Sequence, residues 1–157
     1  MRFKRDSIVT PLPSIELIEE HEAFWRLTLP ESFKEFMKNY NGVKVEGATF
    51  ECNNRGYAIE RFLCMIDDVE KHLEGMYDMD VVFSQIGDRL TDHEDLVGAE
   101  MLPIACVFAG DFICLDFRNN RINPSVCVWS HEESGEFSPV TFEVAEDFDG
   151  FLELLRK

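Results

Sequence analysis

The spacing of apolar positions changes several times along this chain, and each change marks an element. From 102 to 117 the chain is almost wholly apolar, apart from a break at Gly110-Asp111 and an acid at Asp116. Two short apolar runs about a glycine turn predict a β-hairpin over 102–107 and 111–117. Because nearly every position is apolar, rather than every second one, both faces of these strands should be covered. That places the hairpin in the middle of a sheet.

Elsewhere the spacing turns helical. Phe33, Phe36, Met37 and Tyr40 fall at i, i+3, i+4 and i+7, one apolar stripe. Pro30 suits the first turn of that helix, and Asn41-Gly42 supplies a left-handed stop. Before it, Ser14 is a good N-cap for a helix carrying Ile15, Ile18 and Trp25, with a bend before Leu27. Strands are predicted over 48–52 and 59–65, joined by turn chemistry at Asn53-Asn54-Arg55-Gly56. Asp67-Asp68 can cap a short helix through Val69, Leu73 and Met76, and 80–89 is a weaker helical stretch. Residues 90–100 are acidic without periodicity and predict a loop. After the hairpin come a polar turn, a strand over 126–129, an acidic loop over 131–137 and a strand over 139–144. A closing helix opens at Glu146 or Asp147, with Phe148, Phe151, Leu152 and Leu155 on one stripe. This order predicts an α+β fold: one domain over 1–157, mostly antiparallel sheet covered by helices.

Composition narrows the classes of function. A chain of 157 residues that is 45% hydrophobic with 14 Phe is long enough to fold around its own core. Acidic residues outnumber basic ones 31 to 15, a formal net charge of -16. Such a surface repels free nucleic acid and anionic membrane and favours a basic protein partner. The N-terminus lacks an apolar core of signal-peptide length, and no run has the roughly 18 apolar residues of a membrane span. The expected location is the cytoplasm. Five cysteines without a CxxC fit core packing in a reducing compartment.

No catalytic set emerges. Asp92-His93-Glu94-Asp95 has metal-ligand residue types, but on a helix only Asp92 and Asp95 would share a face. His131-Glu132-Glu133 begins like HExxH, yet the fifth residue is Gly135. Asp111 is expected to shape the hairpin turn with Gly110, and Asp116 to bond backbone amides at the strand end. His21 and His72 read as surface residues, and Trp25 and Trp129 as core. No catalytic residue, metal ligand or cofactor is assigned.

Several blocks together resemble the SUKH superfamily. They are Leu29-Pro30-Glu31-Ser32-Phe33 with Tyr40-Asn41-Gly42, Leu102-Pro103-Ile104-Ala105 with Gly110-Asp111 and Ile113-Cys114-Leu115-Asp116, Val126 to Glu132, and Ala145 to Leu152. The resemblance implies a sheet backed by helices. In bacteria it implies an immunity protein that neutralises a toxin, often a nuclease, without catalytic residues. The expected partner is therefore a basic toxin domain. From charge, the expected contact residues are Asp92, Glu94 and Asp95 with Glu132, Glu133 and Glu136. Two other readings are a regulatory scaffold, as in the fungal members, and a metal-dependent hydrolase supported only by the acid clusters. Monomer and dimer both stay open.

Overall fold

The computed structural model describes residues 1–156, an antiparallel sheet of eight strands with four α-helices. The strands are β1 (Arg2–Lys4), β2 (Lys44–Glu46), β3 (Thr49–Cys52), β4 (Arg55–Phe62), β5 (Met101–Val107), β6 (Phe112–Asp116), β7 (Ser125–Trp129) and β8 (Thr141–Ala145). The helices are α1 (Ile15–Trp25), α2 (Glu31–Tyr40), α3 (Met79–Ile86) and α4 (Phe148–Arg156). Neighbours run β1-β2-β4-β5-β6-β7-β8, and β3 pairs with β4.

The expected hairpin is β5–β6, and it lies in the middle of the sheet with both faces covered. Its tip is wider than a simple Gly-Asp turn: Ala109 and Gly110 both take positive φ, and Phe108 is 76% exposed. Asp111 closes that turn through its main chain, its carbonyl accepting from the Val107 N–H at 3.0 Å. Its carboxylate accepts from the His131 N–H at 2.8 Å and ties the tip to the segment after β7. Asp116 accepts from the Arg118 N–H at 3.0 Å, as expected for a strand end, and also forms an ion pair with the Arg118 guanidinium.

Strand alternation sorts the central side chains onto two faces. Ile113, Leu115, Val126 and Val128 face the main core, with Leu17, Ile18 and Trp25 of α1, Phe33, Phe36 and Met37 of α2, and Phe148, Phe151 and Leu155 of α4. Phe33 meets Phe148 edge-on at 5.1 Å, and Phe36 lies 4.6 Å from Phe62. Each such ring contributes about 1.5–3 kcal/mol when buried. On the other face Met101, Cys114, Cys127 and Trp129 cluster with Leu90, under Phe83 and Ile86 of α3.

The helix signals act as the residues dictate. Ser14 Oγ accepts from Leu17 N at 3.1 Å, and α1 ends at Arg26 in the left-handed region. Gly42 follows α2 at φ +68; a Cβ there would lie 2.6 Å from Val9 Cγ2, so the stop also demands close packing. Asp147 Oδ1 accepts from Gly150 N at 2.8 Å at the start of α4.

Two expectations fail. The helix over Val69, Leu73 and Met76 is two separate 3-10 turns, Val69–Lys71 and Gly75–Tyr77, and Leu73 is 97% exposed. Asp68 makes no cap bond there; Asp78 caps α3 instead, accepting from Asp80 N and Val81 N. The strands β1 and β2 were not foreseen. Among the described residues, no helix is long and apolar enough to cross a membrane.

Candidate functional site

The face that carries Trp129 is where the two acidic loops meet. The segment from Gly87 to Glu100 leaves α3, crosses this face and enters β5; the segment 131–138 leaves β7. Arg89 joins them. Its guanidinium donates to the Ser134 carbonyl at 2.7 Å and to the His131 carbonyl, and stands 5.0 Å over the Trp129 ring. The Trp129 indole N–H donates back to the Arg89 carbonyl at 2.9 Å, and Phe137 N donates to Asp88 O at 2.6 Å. Buried Ser134 completes the clamp: its hydroxyl accepts from Val140 N at 2.9 Å.

The far part of the first loop is held against α1. Ala99 N donates to Trp25 O at 2.8 Å, and Gly98 (φ +87) passes so close that a Cβ would lie 2.5 Å from that oxygen. The Trp25 indole N–H donates to Asp80 Oδ1 at 3.0 Å, which links α1 to α3.

Between the loops lies a cavity of about 180 Å³. Its apolar lining is Phe83, Leu90, Leu96, Met101 and Phe137. Asp88, Glu94 and Glu100 line it as well, with His93, and among the described residues no Lys or Arg does. Thr91 Oγ1 donates to Glu100 Oε1 at 2.8 Å; Glu100 Oε2 has no hydrogen bond among the described residues. The lining therefore combines carboxylates with apolar side chains.

Of the six expected contact residues, only Glu94 lines the cavity. Asp92 pairs with His93 at 3.3 Å just outside it. Asp95, Glu132, Glu133 and Glu136 are exposed on the same two loops and form no ion pair among the described residues. Asp88, Arg89, Glu100 and Phe137 were missed as site residues. The one hint was the apolar Leu90, Leu96 and Val97 within the acid-rich 90–100 stretch.

Asp92, His93 and Glu100 place possible ligand atoms within 4.8 Å of one another, a different grouping from the Asp92–Asp95 pair a helix would give. The cysteines have no reactive setting. Burial pushes the Cys106 thiol up to about 11 and Cys64 up to about 12, and raises Cys114 and Cys127 further. Such thiols stay protonated and inert at neutral pH.

An antiparallel sheet backed by helices, with two acidic loops clamped over one face, defines an α+β fold. The chain belongs to the SMI1-KNR4 cell-wall family (SUKH_6), which it matches over residues 15–152. The SPbeta prophage-derived uncharacterized protein YokK of Bacillus subtilis (strain 168) is similar: 26% identical over 149 residues, covering 89% of this chain and 74% of the relative. No solved structure matches.

Proposed function

We propose that this chain is a cytoplasmic immunity protein that binds a basic toxin domain, in particular a nuclease, and neutralises it by covering its cationic cleft. The observation that carries this reading is the convergence of two acidic loops on one face of a chain with net charge -16. Nucleases must bind phosphates and so present Lys and Arg. Unpaired carboxylates held on pinned loops complement such a surface before contact and steer its approach. Membership of the SMI1-KNR4 family supports the reading, and the acid residues act in it as contacts, with no catalytic step.

The test is to read the frames beside this gene for a large secreted protein with a variable C-terminal domain and to co-express that domain with this chain. Cells should survive with the wild-type chain. Reversal of Asp92, Glu94 and Asp95 with Glu132, Glu133 and Glu136 to Lys should abolish protection and slow association by about tenfold or more at low salt. Equal protection by the reversed chain would refute the surface, and absence of any protection by the wild type would refute the function.

A further inference from the structure

The geometry points to a single arginine side chain of the basic partner as the occupant of the cavity between the loops. This rests on the reading above and names the chemistry of its central contact. Three properties select arginine. The cavity is about 180 Å³, room enough for one long side chain. Its apolar lining of Leu90, Leu96 and Met101 takes a methylene stem, and Phe137 offers a ring for a planar cation. Its charged lining is Asp88, Glu94 and Glu100, and no cation lines it among the described residues.

Glu100 is the group that fixes the choice. It is half-buried, one carboxylate oxygen is taken by Thr91, and the other is free to accept. A half-buried carboxylate with an open acceptor gains more from a guanidinium than an exposed one does, because the hydrogen bond is charge-assisted and shielded from water. Arginine also supplies donors in several directions, so Glu94 and Glu100 can both be met; lysine is a compact charge that stays better hydrated. Buried arginines ringed by less energetic contacts are frequent hot spots of protein interfaces. The exposed acids Asp95, Glu132, Glu133 and Glu136 then act as the steering rim.

The test titrates the full chain with acetyl-Gly-Arg-Gly-amide, its citrulline analogue and its lysine analogue, with a chelator present, and follows backbone amide shifts. The arginine peptide should move the amides of Glu94 to Met101 and of Phe137 and saturate. The citrulline peptide, equal in shape but uncharged, should bind at least tenfold more weakly, and the lysine peptide several-fold more weakly. Glu94→Gln with Glu100→Gln should weaken the arginine peptide at least tenfold, Phe137→Ala several-fold, and Glu19→Gln with Glu20→Gln, exposed on α1 and outside the cavity, less than twofold. The proposal is overturned by diffuse shifts over both loops without saturation, by equal binding of the citrulline peptide, or by a pocket that responds only to zinc when the chelator is omitted. Protection from the toxin with no pocket response sinks this inference alone; a pocket response with no protection sinks the immunity reading alone.

Discussion

Cutting Arg89 back to alanine should free the 131–138 loop while leaving the core in place. The guanidinium holds that loop by two main-chain carbonyls, Ser134 at 2.7 Å and His131, and covers the Trp129 ring at 5.0 Å. A hydrogen bond from a charged donor is worth about 1.5–3 kcal/mol, toward the lower end where water competes. The Ser134 bond is sheltered and counts at about 2 kcal/mol; the His131 bond is exposed and counts at about 0.5 kcal/mol. Cover of the ring adds about 0.5–1 kcal/mol. The loss is then about 3 kcal/mol, which lowers Tm by about 6–12 °C in a domain of this size. Calorimetry reads the shift, and amide exchange at Phe137 reads the loop directly, since its N–H donates to Asp88 O. Arg89→Lys should recover less than half, because one ammonium cannot span both carbonyls and the ring. A Tm drop under about 2 °C with Phe137 exchange unchanged would show that the clamp is not what orders the loop.

Gly98→Ala should cost more than about 2 kcal/mol, because the position combines a left-handed φ with a Cβ site 2.5 Å from Trp25 O; a smaller loss in urea unfolding would mean the loop is free to shift. Alkylation of the native chain should label Cys52 first, while buried Cys64, Cys114 and Cys127 react only in denaturant; early labelling of Cys114, read by mass spectrometry, would contradict the closed packing beneath Phe83. Burial pushes the Asp78 carboxyl above its ordinary 3.8, so the folded state holds that proton more firmly than the unfolded chain. Its stabilising share is in full force below that value and fades as pH rises through the raised one. The stability of wild type relative to Asp78→Asn should therefore be larger near about pH 3.5 than near about pH 7, and a difference that is flat with pH in urea melts would refute this.

The parts of the fold that declare themselves do so through local chemistry. Ser14, Pro30 and Gly42 mark helix ends, and the stripes Phe33/Phe36/Met37 and Phe148/Phe151/Leu155 mark buried faces. The central hairpin is legible because burial on both faces leaves no polar alternation. β1 and β2 are not legible for the opposite reason. Each has three residues, so period two shows one inward side chain apiece, Phe3 and Val45, between charged neighbours. Nothing local ties Phe3 to Val45; only the fold pairs them. Near Val69 the chain forms two 3-10 turns instead of a helix, and they bring Gly75 so close to the Val69 carbonyl that a Cβ would lie 2.5 Å from it, a packing feature with no local signature. The candidate site was half legible. Its negative charge stands in the text of the two loops, but the cavity depends on Arg89 reaching carbonyls more than forty positions away, and carbonyls have no letter in the sequence.

That Arg89 grips main-chain oxygens has an evolutionary corollary. The contacts that pin the 131–138 segment, from Arg89 to two carbonyls and from the Phe137 amide to Asp88, ask nothing of the side chains at 132, 133 and 136. Those positions can mutate without unseating the segment. On the proposed reading, a lineage facing changing toxins could rewrite those positions, letter by letter, while the scaffold beneath stays the same.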